Sequence, residues 1–228
     1  MLIILLALLV FLLIFVPSLW CRLTLSRHAK PREDIPGTGG ELAKHLLNRL
    51  GLAEVKVEET QEGQDHYDPG SRTVRLSPSH YNGKSLTAIT VAAHEVGHAI
   101  QHYQQYKWFG LRTQLAYFSY YAERIASYLL VGFPFITMLA KLPHLGLLMF
   151  ACGIIIMLLP VIMHLITLPV EWDASFNRAL PILEKGQYLP ENTLPKARKI
   201  LTAAALTYVA ASLNSLLNFY RWFAIMRR

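Results

Sequence analysis

Cysteine is scarce in this chain of 228 residues, which contains only Cys21 and Cys152. Both lie at or inside apolar segments of the sequence. A small fold stapled by disulfides needs several cysteine pairs, and cysteine-based zinc sites take their cysteines in closely spaced groups. The sequence therefore predicts neither a disulfide framework, nor a cysteine-based zinc site, nor a secreted fold.

Charged residues are also few, at 16% of the chain against about a quarter in ordinary globular proteins, whereas 53% of the residues are hydrophobic. The net charge is +7, and the lysines and arginines are spread along the chain with small clusters beside apolar runs. The sequence has no basic stripe interleaved with stacking aromatic residues, which argues against nucleic acid as a partner. The composition favours a membrane protein with lipid neighbours.

Four apolar runs predict about four membrane helices: residues 2–20, 125–140, 145–170 and 200–218. A helix needs about 20 apolar residues to cross a bilayer. Basic residues follow the first run at once, and the positive-inside rule then places the next segment in the cytoplasm. We expect a mainly α multi-pass protein of the cell membrane, with a small α+β zincin-like catalytic domain facing the cytoplasm.

The chain divides into five predicted segments. They are a membrane anchor (1–21), a soluble α+β region (22–110), an aromatic interfacial helix with a membrane hairpin (111–170), a third-ligand segment with a cytoplasmic loop (171–199) and a C-terminal membrane or re-entrant helix (200–228). In the second segment, Thr38 and Glu41 form a capping-box pattern for a helix that stops at Gly51. Residues 53–58 and 73–76 read as strands.

The H-E-x-x-H pattern of residues 94–98 carries the chemistry, on a helix predicted over 86–104. His94 and His98 lie about 40° apart around the helix axis, so both imidazoles can reach one ion. Glu95 lies about 100° round, where it can take a proton from water that zinc acidifies toward a pKa of about 7. The pattern predicts a zinc peptidase with Glu95 as general base. The alternative is a helix whose histidines merely form hydrogen bonds.

A catalytic zinc usually takes three protein ligands. His102 lies two helical turns, roughly 12 Å, from His94 and cannot join that pair on a straight helix. The metzincin extension requires glycine at position 101 and histidine at position 104, where this chain has Gln101 and Gln104. The metzincin class is therefore excluded, and His102 is expected to support or pack beside the site.

Acidic residues downstream are the other candidates for the third ligand. They are Glu123, Glu171 and Asp173. Glu171 is favoured over Glu123 for two reasons. An acidic residue at the membrane edge, where the predicted hairpin returns to the cytoplasm, is costly and therefore indicates a function such as metal binding. Two histidines with a glutamate also form a known catalytic zinc set.

Several segments of the chain together resemble the YugP-like zinc-dependent membrane peptidases. They are DHYDP (65–69), TVRLS (73–77), VAAHEVGHAIQH (91–102), PVEWDAS (169–175) and AAALTYVAA (203–211). The resemblance implies a bacterial-type integral membrane metallopeptidase, distantly similar to the HtpX-like gluzincin membrane peptidases. Those carry the third zinc ligand as the glutamate of an E-x-x-x-D segment, and the matching glutamate here is Glu171. Ser175 stands where that pattern has its later acid.

The combined prediction is a membrane-embedded zinc metalloendopeptidase acting on proteins or peptides, with Zn²⁺ held by His94, His98 and Glu171 and with Glu95 as the base. Three residues are candidates for stabilising the tetrahedral oxyanion: His66, Tyr67 and Arg178. The alternative function is a catalytically silent zinc-binding membrane scaffold or chaperone, which a closed four-ligand site would favour. The sequence indicates neither the cleavage specificity nor the oligomeric state.

Overall fold

The computed structural model describes the backbone of residues 2–140 and 143–226, and side chains mainly within residues 15–122 and 159–211. The described elements follow in this order: α1 (Leu2–Arg27), α2 (Gly39–Arg49), β1 (Lys56–Glu59), β2 (His66–Asp68), β3 (Thr73–Leu76), α3 (Pro78–Tyr81), α4 (Leu86–Tyr103), α5 (Lys107–Ala140), α6 (Pro143–Trp172), α7 (Leu180–Lys185) and α8 (Leu194–Met226). A π-helical segment (Asp173–Ala179) joins α6 to α7, and a 3₁₀ turn (Glu191–Thr193) precedes α8. The described residues form a mainly helical fold with one small sheet.

The prediction of about four membrane helices is wrong. Within the described part of the chain, no helix combines the length and the apolar character needed to cross a bilayer. The apolar runs do not form helices of their own but belong to longer helices that also carry charged residues, such as Arg112 in α5, Glu171 in α6 and Lys199 in α8. The same finding corrects two further predictions. They are a multi-pass protein of the cell membrane and an active site that faces the cytoplasm from that membrane.

The sheet has the strand order β1-β3-β2, with β3 parallel to β1 and antiparallel to β2. Val74 and Leu76 of the central strand are fully buried and pack in the core with residues of α4. The strand predicted at 73–76 is confirmed, whereas the strand predicted at 53–58 lies at 56–59. Strand β2 was not predicted from the sequence, because its three residues are too few to show an alternating pattern.

Local sequence signals around α2 are confirmed. The Thr38 Oγ1 atom accepts a hydrogen bond from the Glu41 backbone N–H at 3.2 Å, and the Thr38 N–H donates to Glu41 Oε2 at 2.8 Å. Gly51 follows the helix with a φ of +73°, the left-handed conformation that glycine adopts without strain. The two cysteines, Cys21 and Cys152, are both free thiols.

Helix α4 lies in the centre of the fold and packs against α2, α3, the sheet, the π-helical segment and α8. It begins after Ser85, whose Oγ atom accepts a hydrogen bond from the Ala88 N–H at 3.1 Å. Fourteen of its 18 residues are buried. Packing on several sides fixes the rotation of the helix, so the side chains of the H-E-x-x-H pattern have set directions.

Gly97 marks the close approach of α4 to the π-helical segment, because a Cβ atom there would lie 2.8 Å from the backbone oxygen of Ala174. We expect Gly97→Ala to destabilise the fold: overpacking costs about 1–3 kcal/mol, against ~1 kcal/mol that alanine gains over glycine in a helix. Thermal unfolding measures the effect. Gly110→Ala is the matched control, because nothing lies within 4 Å of a Cβ at that position. An unchanged midpoint for Gly97→Ala would contradict the close approach.

Asp65 links the loop before β2 to the start of α3. Its Oδ1 accepts the Ser77 N–H at 2.7 Å, and its Oδ2 lies 2.8 Å from His80 Nδ1. Burial raises the pKa of Asp65, but the hydrogen bonds from His80 and Ser77 outweigh burial and hold the pKa below its ordinary value. A lowered folded-state pKa stabilises the fold above the unfolded-state pKa of about 4, and this contribution is lost as the pH falls through the folded-state pKa.

We therefore expect Asp65→Asn to lower the unfolding temperature at neutral pH and to flatten its decline on acidification below about pH 5. Thermal unfolding of the wild type and the variant across this range is the measurement. Glu33→Gln is the control, since Glu33 is exposed. Parallel pH curves for Asp65→Asn and the wild type would show that Asp65 does not contribute to acid sensitivity.

Candidate metal centre

The side chains of His94, His98 and Glu171 come together where α4 meets the end of α6. The Nε2 atom of His94 lies 3.1 Å from Glu171 Oε2, and the Nε2 atom of His98 lies 3.5 Å from the same oxygen. One ligand atom from each residue lies within 4.8 Å of the other two. Ligands held about 2.0–2.1 Å from a tetrahedral zinc are about 3.3 Å apart, so this donor set fits zinc. In the described residues the group has three members, which leaves a tetrahedral position for water.

Burial and charge give the carboxylates of the centre opposite properties. Burial raises the pKa of Glu171, but the charge of His98 and hydrogen bonds from both histidines outweigh it and hold the pKa well below the ordinary range. Burial raises the pKa of Glu95 to about 7, with His94 opposing and Glu171 adding to the shift. Glu171 therefore stays ionised as a ligand must, whereas Glu95 can gain and lose a proton near neutral pH.

The outer nitrogen of His98 is held by Gln101, one turn further along α4. His98 Nδ1 lies 2.9 Å from Gln101 Oε1, and Gln101 Nε2 donates to the Val170 carbonyl and to Asp173 Oδ2, both at 2.8 Å. Arg178 Nε donates to the same Asp173 oxygen at 2.6 Å. With Nε2 facing the metal, Nδ1 carries the proton and donates it to Gln101, which fixes the ring. The glutamine that excludes the metzincin pattern thus orients a histidine of the centre.

Ser175 holds the outer nitrogen of His94. Its Oγ atom lies 3.1 Å from His94 Nδ1, and the residue is fully buried in the π-helical segment. The same imidazole meets Glu171 through Nε2. The serine that replaces the later acid of the E-x-x-x-D pattern therefore still contacts the histidine. A neutral hydroxyl polarises the ring less than a carboxylate would.

We expect Ser175→Ala to lower the zinc affinity about tenfold, because outer partners of metal-binding histidines contribute about 10- to 100-fold. Competition titration with a chromophoric chelator measures the change. Thr167→Val is the matched control: Thr167 is also buried in this part of the chain, but its hydroxyl donates to the Met163 carbonyl. Equal affinities for Ser175→Ala and the control would mean that Ser175 does not orient His94.

Two further residues contact Glu171, and neither was predicted from the sequence. Arg112 Nη1 donates to Glu171 Oε1 at 3.3 Å, opposite the oxygen that faces the histidines. The Tyr208 hydroxyl hydrogen-bonds to Glu171, and burial followed by the charge of Glu171 raises the pKa of Tyr208. Tyr208 lies within the alanine-rich segment 203–211, which is one of the segments that resemble the family. A single tyrosine among small residues was the feature of the sequence that could have indicated a role for Tyr208. Arg112 gave no comparable signal.

The other candidates from the sequence lie outside this group. Asp173 bonds Gln101 and Arg178, and His102 accepts or donates a 2.8 Å hydrogen bond with the Tyr67 hydroxyl. Of the proposed oxyanion donors, Tyr67 is therefore engaged with His102, Arg178 with Asp173, and His66 with the Gln64 carbonyl. The side chain of Glu123 lies outside the described residues.

Comparisons with known proteins agree with a zinc centre. The profile of a family described as "Putative neutral zinc metallopeptidase" matches residues 3–227. The chain is 40% identical over 200 residues to a protein of Bacillus subtilis (strain 168) named "Putative membrane protease YugP", which covers 87% of this chain and 85% of that protein. No solved structure matches the chain significantly.

Proposed function

The chain belongs to this family of neutral zinc metallopeptidases, and we propose that it is an endopeptidase of the gluzincin type, with His94, His98 and Glu171 as zinc ligands. Zinc is the metal of the family, and peptides or proteins are its substrates. One observation carries the proposal: two imidazole nitrogens and a buried carboxylate oxygen lie within 4.8 Å of one another. That donor set leaves room for water, as a catalytic zinc site requires.

Glu95 acts as the general base and then as the general acid. When bound, zinc supplies Lewis-acid chemistry, since it acidifies a water molecule and polarises the scissile carbonyl. Glu95 removes the proton of the attacking water, holds it in a buried environment and delivers it to the leaving amine. The raised pKa of Glu95 supports this role, because a carboxylate with a pKa near neutrality can both accept and release a proton.

Arg112 and Tyr208 are two further candidates for stabilising negative charge on the scissile carbonyl, beside the three named from the sequence. Both contact Glu171 directly, so each places a polar hydrogen beside the ligand group. Arg112 also keeps the buried Glu171 carboxylate paired. A donor fixed in place before the reaction is effective because it needs no reorganisation when charge develops.

The test measures zinc content and peptide hydrolysis on the same purified full-length chain. We expect about one zinc ion per chain, cleavage of an unfolded protein substrate, loss of cleavage with a chelator and recovery when zinc is added back. His98→Ala should lose both zinc and activity, whereas His102→Ala, outside the ligand group, should keep zinc. Full zinc content without any cleavage would favour the zinc-binding scaffold, and cleavage insensitive to the chelator would exclude the proposed mechanism.

A further inference from the structure

A cavity of about 450 Å³ lies beside the metal centre, between β2 and the first half of α5. We name it the aromatic cleft. Its apolar lining includes Tyr67, Phe109, Ala116, Tyr117, Tyr120 and Tyr121. Tyr117, Tyr120 and Tyr121 are each about 60% exposed, so their rings have little protein packed against them. Ligand sites are typically clefts of about 300–1,000 Å³ with mainly apolar and aromatic walls, and the aromatic cleft has both properties.

Two residues connect the aromatic cleft to the centre. Arg112 lines the cleft and donates to Glu171 Oε1 at 3.3 Å. Phe109 also lines the cleft, and its ring centroid lies 6.1 Å from that of His98. The wall of the cleft and the surroundings of the metal ligands are therefore built partly from the same side chains.

The charged residues that line the aromatic cleft are already paired. Asp68 Oδ2 accepts Arg75 Nη1 at 2.9 Å, and Asp68 Oδ1 accepts the Gly70 N–H at the same distance. Arg112 is paired with Glu171. A charged substrate side chain would lose its hydration here without gaining an uncommitted partner, whereas an apolar one would cover exposed aromatic rings.

We propose that the aromatic cleft binds a bulky apolar side chain, aromatic or leucine-like, at a residue that flanks the scissile bond of the peptide substrate. The inference rests on the proposed function, because it assigns a specificity pocket to the same centre. Tyr117 forms part of the open wall of the pocket, and Ala116 leaves space at its side. Cleavage should therefore occur mainly next to bulky apolar residues.

The first experiment maps cleavage sites. An unfolded protein is digested by the zinc-loaded chain, and mass spectrometry locates the cut bonds. Peptides that differ only at the selected flanking position, with Phe, Leu, Gly, Asp or Lys, are then compared by kcat/KM. We expect Phe and Leu to exceed Gly by about tenfold or more, and to exceed Asp and Lys by more than that. Equal values across the series would overturn the inference.

Variants then test whether the aromatic cleft causes this preference. Tyr117→Ala should lower kcat/KM for the Phe peptide about tenfold, mainly through KM, and leave the Gly peptide nearly unchanged. Ala116→Trp, which fills the cleft, should have the same selective effect. Phe118→Ala is the matched control, because Phe118 neighbours Tyr117 with the same 59% exposure but does not line the cleft.

The outcomes separate the pocket from the proposed function. If the wild type cleaves no peptide, the proposed function fails and the pocket fails with it. If the wild type cleaves peptides and Tyr117→Ala lowers all rates equally or none, only the pocket is overturned. Binding of the Phe and Gly peptides to the Glu95→Gln variant, measured by fluorescence anisotropy, supplies a second readout, and tighter binding of the Phe peptide is expected.

Discussion

Glu95→Gln is expected to lower peptide hydrolysis about 1,000-fold while the zinc content stays at the wild-type value. General acid–base catalysis contributes about 10²- to 10⁴-fold, and an amide cannot accept the proton of the attacking water. Glu95 is outside the ligand group of His94, His98 and Glu171, so the substitution removes no metal ligand. The measurements are kcat/KM on one peptide and zinc per chain by elemental analysis.

The stability of Glu95→Gln distinguishes lost chemistry from lost structure. Burial raises the pKa of Glu95 to about 7, so the ionised carboxylate destabilises the zinc-free fold above the unfolded-state pKa of about 4.3. The amide carries no charge, and we expect the zinc-free variant to unfold at or above the wild-type temperature at about pH 8. Glu95→Asp, which keeps a carboxylate on a shorter side chain, should recover part of the activity. Glu95→Gln with more than a tenth of wild-type activity would exclude Glu95 as the base.

Local sequence patterns predicted the part of the site that one helix determines. The convergence of His94 and His98 follows from helical periodicity, and Ser85 marks the helix start. The structure has α4 from Leu86 to Tyr103, with Ser85 as its N-cap. The capping box at Thr38 could also be predicted from the sequence, because it involves two residues only three positions apart.

Local sequence patterns could not predict contacts between segments that are far apart in the chain. Arg112 and Tyr208 reach Glu171 because α5 and α8 both pack against α6, and no periodicity in the sequence encodes that arrangement. Ser175 showed a departure from the E-x-x-x-D pattern, but only the structure shows that its hydroxyl still meets His94. The membrane prediction was made from apolar runs alone, and within the described part of the chain no helix has both the length and the apolar character to cross a bilayer.

Glu171→Ala should reduce the zinc affinity by more than about 100-fold, the upper limit expected for loss of an outer partner of a metal ligand. The variant removes the carboxylate oxygen that lies 3.1 Å from His94 Nε2 and 3.5 Å from His98 Nε2. The substitution also removes the carboxylate that pairs with Arg112. The positive charge of Arg112 then remains unneutralised near the two imidazoles and repels Zn²⁺. Both effects act in the same direction.

Competition titration with a chromophoric chelator at a fixed pH measures this loss, and the pH must be fixed because ligand protonation competes with the metal. Glu184→Ala is the matched control, since Glu184 is an exposed glutamate on α7 and should leave zinc binding unchanged. Glu171→Asp should fall between the two, because a carboxylate is retained but withdrawn by one methylene. Wild-type affinity in Glu171→Ala would remove Glu171 from the centre and return Glu123 as the candidate for the third ligand. In that case the 3.1 Å contact with His94 would be an ordinary hydrogen bond and not the edge of a coordination site.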